Sequence, residues 1–376
     1  MAGGLGGSVG SHHLYVHVPF CRLVCAYCDF VTVGGRSGEM QRYAAALLAE
    51  LAGRPAPGAL ATIYFGGGTP SLMPAASIQA VVQAAVERWG LTPAEVTVEA
   101  NPSRREMPDW EGLRRAGVTR ISLGVQSLRD PELTTLARGQ TAEEARAAFA
   151  AARATFDNVS IDLIYGIPGQ SLSDWNEGLR AAIELEPSHL SLYALQLALQ
   201  PDEWAAPPRA GALRWRRRMQ QRQDDDLAAD QYRLAEERLD GAGYRHYELS
   251  SWARPGYESR HNRAYWERRP YTGIGAGAHS FDGSVRSWNV PDLDRYLAEA
   301  ANGRPLAGEE PLSEGTIQFE AVVLGLRLVE GLSRARFAAE FGIDPAHRYR
   351  EAVAATMRAG LLEIDGDALR LTAAGR

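Results

Sequence analysis

The chain of 376 residues contains no lysine; all 40 of its basic residues are arginine. Without lysine there is no amine to form a Schiff base with pyridoxal phosphate, none to lie over a nucleotide phosphate in a Walker A loop, and no amine general base. Cysteine is scarce too: three residues are too few for a disulfide framework. No apolar run reaches the ~18 residues of a membrane span. The start MAGGLGGSVGSHH has neither the basic nor the apolar region of a signal peptide, which predicts a cytoplasmic protein. A net charge of −6 argues against a dedicated nucleic-acid binder, so no nucleic-acid partner is expected. The 45% hydrophobic content supplies a core, and the length allows about two to three domains of ~100–200 residues.

Short β-rich runs recur at 14–20, 62–65, 96–99, 120–125, 159–164 and 190–195. Helical patterns fall between them, at 38–51, 75–89, 109–116, 141–155 and 173–185. Six strands alternating with helices imply parallel strands joined by right-handed crossovers, and the runs read as too apolar to face water on either side. The expected fold is α/β, a partial (β/α)6 barrel over 14–200 behind a flexible tail of 1–13. Beyond 200 the alternation stops, and 201–312 reads as a linker and barrel-associated segment with a helix at 224–241. The last part, 313–376, reads as helix, turn, helix and a hairpin with Asp365-Gly366 at its tip, an α+β winged-helix-like domain. The run from Arg214 to Arg218 reads as a solvated helix face.

In such barrels chemistry gathers at the C-terminal ends of the strands. All three cysteines, Cys21, Cys25 and Cys28, follow the first strand at spacing C-x3-C-x2-C. Three thiolates can hold an iron–sulfur cluster with one iron left open for a ligand. The bland alternative is a zinc site completed by His17 or Asp29, in a zinc-stabilised interaction protein. Gly66-Gly67-Gly68-Thr69-Pro70 follows the second strand and offers close backbone approach and N–H donors. Glu99, Gln126, Arg138 and Asp162 stand at further strand ends.

CRLVCAYC resembles the cysteine loop of the radical S-adenosylmethionine superfamily, and GGGTP resembles its glycine stretch. The resemblance implies a [4Fe–4S] cluster on Cys21, Cys25 and Cys28 that binds S-adenosylmethionine and takes an electron from a donor protein, with Arg22 and Tyr27 packed against it. LYVHVPFC, IYFGGGTPSLM, VTVEANP, RISLGVQS, VSIDLIYGIPGQ and LSLYAL are similar to the oxygen-independent coproporphyrinogen III dehydrogenases and the HemW-type heme chaperones. By this resemblance Tyr15, Gly67 and Glu99 contact the cluster-bound S-adenosylmethionine. Gly68, Thr69, Gln126, Arg138 and Asp162 match a second S-adenosylmethionine site of the dehydrogenase.

Three features favour the chaperones. Phe30 stands where the dehydrogenase has a further cysteine, only thirteen residues precede the first strand, and His261-Asn262-Arg263-Ala264-Tyr265-Trp266 matches the HNxxYW motif associated with heme. The resemblance then implies His261 as a heme contact, with Tyr265 and Trp266 as flat apolar surface and His246 and His279 as alternative histidines. The implied partners are heme, heme-acceptor respiratory proteins, transient membrane-protein contacts and a second copy of the chain. The chain departs from the family pattern at Gln140, where relatives carry histidine, and over 199–223.

Overall fold

The structure is a computed structural model that describes residues 12–55, 58–90, 95–197, 210–303 and 305–376. β1 (His12–Val18) leads into two short strands, β2 (Phe20–Cys21) and β3 (Val33–Gly34), which pair in parallel with each other. Next come α1 (Met40–Gly53), β4 (Leu60–Gly67), α2 (Ala75–Trp89), β5 (Glu95–Ala100), α3 (Trp110–Arg115) and β6 (Arg120–Gln126). They are followed by α4 (Asp130–Thr135), α5 (Ala142–Thr155), β7 (Asn158–Tyr165), α6 (Leu172–Glu184) and β8 (His189–Ala194). Capping boxes start α5 and α6, pairing Thr141 with Glu144 and Ser171 with Asp174, so each helix begins at a fixed residue after its strand. β1, β4, β5, β6, β7 and β8 lie side by side in that order, all parallel, as the alternation predicts.

The first strand starts at His12, with both histidines buried, so the strand takes in two residues assigned to the tail. A larger correction concerns the faces of the strands. Leu14, Val16, Ile63, Phe65, Leu190 and Leu192 join the core shared with the helices. The residues between them are polar, and Tyr64, Glu99, Ser122, Asp162, Ser191 and Tyr193 line the barrel interior. The runs are therefore two-faced, apolar outward against helices and polar inward around a cavity. Strand pairing stacks this polar lining, with Glu99 beside Ser122 and Asp162 beside Ser191.

Part of the departure at 199–223 lies outside the described residues. The chain resumes with α7 (Ala210–Gln220), α8 (Asp225–Gly241), β9 (Arg245–Glu248), β10 (Ser251–Ala253) and α9 (Arg260–Trp266). β11 (Tyr271–Ile274), β12 (His279–Phe281), β13 (Val285–Asn289), α10 (Leu293–Glu299) and β14 (Leu306–Pro311) follow. This stretch is no linker, because it completes both edges of a twelve-stranded sheet. β10 and β9 continue antiparallel beyond β8, while β11 pairs in parallel with the other side of β1 and leads to β12, β13 and β14. Glu50 ties the new edge to the barrel: fully buried, it pairs with Arg54 and accepts from Tyr296 Oη at 2.8 Å, Gly275 N at 2.9 Å and Asn289 Nδ2 at 2.7 Å.

The last part contains α11 (Glu314–Gly325), β15 (Leu332–Ser333), α12 (Arg334–Phe341), α13 (Pro345–Arg348), α14 (Arg350–Arg358), β16 (Leu362–Asp365) and β17 (Ala368–Leu371). Its small sheet has the order β15-β17-β16. Asp365 pairs with Ala368, so the hairpin tip is Gly366-Asp367, one residue later than the sequence suggests. Gly366 has φ 58°, at the position where a type II′ turn takes glycine. Among the described residues no helix is long and apolar enough to cross a membrane.

Candidate functional site

A cavity of about 430 Å³ opens at the C-terminal ends of the parallel strands. Of the fourteen residues expected to hold the cluster, S-adenosylmethionine or heme, ten line it: Cys21, Cys25, Cys28, Gly67, Gly68, Thr69, Glu99, Gln126, Arg138 and Asp162. The other four, Tyr15, His261, Tyr265 and Trp266, lie elsewhere. The lining also includes Tyr64, Asn101, Ser122, Ser191, Tyr193 and Asn262, which the motif reading passed over. A strict period-two count finds Asn101, two residues from Glu99, and Tyr64, two residues before the glycine stretch, whereas Ser191 and Tyr193 lie on β8, which carries no expected site residue.

The cysteine loop is held from several elements. β2 and β3 clamp its two ends, and Thr69 Oγ1 points at Cys21 Sγ, 3.8 Å away. Arg138 donates from Nη1 to Cys25 Sγ at 3.2 Å and from Nη2 to Asn101 Oδ1, Gly124 O and Gln140 Oε1 at 2.9–3.0 Å. Gln140 in turn donates to Val125 O at 2.9 Å, so its amide orients Arg138. All three cysteines are free thiols. Burial pushes Cys21 up to about 12 and Cys28 up to about 11, which keeps both protonated at neutral pH until a metal replaces the proton.

The zinc alternative fares poorly here. His17, held near 4 and neutral by burial, donates from Nε2 to Val31 O at 2.7 Å and accepts at Nδ1 from Tyr15 Oη at 3.1 Å. Asp29 is ion-paired with Arg216. Among the described residues no three His, Cys, Asp or Glu side chains are gathered as around a single metal ion. A cubane cluster takes each thiolate on a different iron and is held by three with one iron left open, whereas a structural zinc ion takes four ligands. The donor chemistry of the loop therefore fits a cluster.

The glycine stretch works by close approach. A Cβ at Gly67 would stand 2.5 Å from the His17 ring, and Gly67 has φ 112°; a Cβ at Gly68 would stand 2.7 Å from Phe20 O. The expected N–H donors are spent inside the protein, Gly67 on Glu99 Oε2, Gly68 on Val18 O and Thr69 on Phe20 O. The stretch thus offers the cavity a bare backbone wall rather than donors. Glu99 also accepts from Tyr64 Oη at 2.8 Å, and burial pushes its carboxyl up to about 7, with the Asp162 charge adding to the shift against both hydrogen bonds. Asp162, raised mainly by burial, accepts from Ser122 and Ser160. Gln126 adopts φ 67° where the β6–β7 register shifts, a left-handed conformation that is uncommon outside glycine and turns the residue into the cavity. Two carboxylates, a backbone wall and three thiols suit a cluster with a cofactor carrying ammonium, carboxylate and ribose groups. Arg138 Nε, buried and without a partner among the described residues, leaves one donor for such a cofactor.

Tyr15 stands behind the lining, its ring 6.3 Å from that of Tyr64. His261 is also removed from the cavity, because α9 plugs the floor of the barrel. Its imidazole is 1% exposed, with Nδ1 at 2.7 Å from Thr62 Oγ1 and Nε2 at 3.0 Å from Tyr265 Oη. Both ring nitrogens of His261 are thus engaged inside the protein. Tyr265 reaches a second cavity of about 340 Å³, walled also by Tyr271, Phe281, Arg268, Arg269 and Arg286. Trp266 lies beneath the Arg327 guanidinium, 4.0 Å from the ring centre. His246 stacks on Trp252, and His279 on Trp288.

The Radical SAM superfamily profile matches residues 15–182, and the HemN C-terminal domain profile matches residues 312–376. The heme chaperone HemW of Mycobacterium tuberculosis strain H37Rv is 39% identical over 375 residues, covering 96% of this chain and 91% of that protein. The heme chaperone HemW of Escherichia coli is 35% identical over 343 residues, covering 88% of this chain and 86% of its own. Among solved structures, coproporphyrinogen III oxidase HemN of Escherichia coli superposes with a TM-score of 0.82 over 98% of this chain and 88% of that one, at 23% identity. That last likeness is one of fold.

Proposed function

Because the chain belongs to the HemW-type heme chaperones of the radical S-adenosylmethionine superfamily, we propose that it binds heme and delivers it to heme-dependent respiratory proteins in the cytoplasm or at the membrane surface. In this reading Cys21, Cys25 and Cys28 hold a [4Fe–4S] cluster, and Gly67, Gly68, Glu99, Gln126, Arg138 and Asp162 hold S-adenosylmethionine. The cluster, reduced by a donor protein, would supply the electron that cleaves the sulfonium. The chain's own residues bind and orient: Arg138 directs a guanidinium at Cys25, Glu99 faces the cavity as an acceptor, and the glycine wall admits the cofactor close to the thiols.

The observation that carries this reading is the convergence of the three cysteines and the strand-end residues on one cavity, with no fourth cysteine beside them. Phe30, at the position that separates the two branches, is 67% exposed. For the heme contact, the family motif supplies Tyr265 and its aromatic neighbours, which suit the flat edge of a porphyrin.

Anaerobic reconstitution tests the proposal, followed by parallel assays of heme binding by absorption, heme transfer to an apo-acceptor, and coproporphyrinogen decarboxylation. The expected result is a [4Fe–4S] spectrum, heme binding and transfer, and no protoporphyrinogen at catalytic turnover. Turnover to protoporphyrinogen would move the protein to the enzyme branch. Stoichiometric zinc without iron after anaerobic isolation would remove the cluster.

A further inference from the structure

Helix α7 turns Trp215, Arg216 and Met219 inward and leaves Arg214, Arg217 and Arg218 exposed. Trp215 and Met219 pack with Leu136, Ile164, Ile167 and Tyr27, as an amphipathic stripe should. Arg216 occupies a core position of the same stripe and is 1% exposed. Reading the arginine run as a solvated face is therefore wrong at this residue. Burying a guanidinium is costly unless its N–H groups meet acceptors. Here Nε donates to Ala26 O at 2.8 Å, Nη2 donates to Cys28 O at 2.8 Å, and Nη1 pairs with the Asp29 carboxylate.

All three acceptors belong to the cysteine loop, and they bracket its third cysteine. Between β2 and β3 the loop has little support of its own: within 22–32 one backbone–backbone hydrogen bond is found among the described residues, from Cys28 N to Cys25 O at 3.2 Å. The first cysteine lies in β2, and the second receives Arg138. The segment around the third is fastened by a residue nearly 190 positions later.

We propose that Arg216 is a positioning residue for the cluster, forming with Asp29 a clasp by which α7 fixes the Cys28 segment before the cluster binds. The proposal rests on the reading of the cysteine loop as a cluster site. Loss of the guanidinium would leave the Asp29 carboxylate uncompensated beside the loop, which disfavours the more negative, reduced state of a bound cluster.

The clasp is tested first without metal, by timed alkylation of each cysteine in the full-length apoprotein, read by peptide mass spectrometry. Arg216→Gln is expected to raise the Cys28 rate about tenfold with little change at Cys21, and Arg216→Lys to restore part of the protection. Asp29→Asn should act in the same direction, and the double variant should go no further than Arg216→Gln alone, as partners in one unit do. Arg217→Gln, on the exposed side of α7, should match the wild type. Unchanged Cys28 rates, additive effects, or an equal rise at all three cysteines would each overturn the clasp. If Arg216→Gln does not fold, Asp29→Asn decides: Asp29 is partly exposed, and an unaltered Cys28 rate in that variant overturns the proposal. After reconstitution, Arg216→Gln should lower the cluster midpoint potential. A wild-type protein that takes up no cluster, while Arg216→Gln still exposes Cys28 selectively, would leave the clasp standing and remove the cluster reading.

Discussion

Glu99 carries the clearest consequence for a single side chain. Its folded-state value near 7 lies above its ordinary 4.5. The folded chain therefore keeps a proton there, between about pH 4.5 and 7, that the unfolded chain has lost. The associated stability is present below that window and is lost as pH rises through about 7. A cationic ligand needs the ionised form, so its affinity should climb as pH rises through about 7, roughly tenfold between pH 6 and 8. Anaerobic calorimetry of S-adenosylmethionine binding checks this: Glu99→Gln should bind more weakly at pH 8 and lose the carboxylate's share of the slope. His261 makes a contrasting case. His261→Ala removes two hydrogen bonds and leaves a cavity beside Tyr64, and should cost about 2–4 kcal/mol in denaturant titrations. Its heme spectrum should stay that of the wild type. A changed spectrum would put the imidazole on iron and require α9 to leave the barrel floor.

At the scale of elements, the strands and their order were readable in the sequence because β-branched runs and capped helices alternate without interruption as far as β8. The cysteine motif and strand-end rule led to most of the cavity lining for a similar reason, each being local in sequence. Other features depend on distant partners. The Tyr271–Ile274 strand is too short and glycine-rich to announce itself, and it exists because β1 offers it a free edge. Arg216 looks like its solvated neighbours until the acceptors of the cysteine loop stand opposite it. His261 is the converse case, a motif residue that sits among polar groups which hydrogen-bond it here. The Glu50 cluster joins α1 to β11, β13 and α10 and gives this scale its test. Glu50→Gln leaves Arg54 buried without its counter-charge and should cost about 3–5 kcal/mol, measured by urea unfolding with far-ultraviolet circular dichroism.

Across the whole molecule, arginine–carboxylate pairs tie the C-terminal part to the barrel. Arg263 pairs with Glu330, Arg268 with Glu340, Arg286 with Glu320 and Arg376 with Glu236. Backbone bonds from Leu249 N to Arg327 O at 3.0 Å and from Val329 N to Tyr247 O at 3.1 Å add a short seam. Exposed pairs contribute about 0–1 kcal/mol each and are screened by salt. Raising salt from roughly 0.05 to 1 M, a change that shortens the screening length from about 14 to 3 Å, should therefore speed amide exchange in α11 several-fold. Exchange in β4–β7 should stay unchanged. Hydrogen-exchange mass spectrometry checks both, and uniform exchange across the two regions would contradict a salt-held docking.

The parallel pairing of β1 with both β4 and β11 has a consequence in time as well as in space. A ribosome releases the cysteines among the first thirty residues, the clasping arginine much later, and the second neighbour of β1 later still. During synthesis the loop is an open thiol-bearing tether, and its base closes only when about three-quarters of the chain has emerged. The three thiols thus precede in the chain both the arginine and the strand that support their loop.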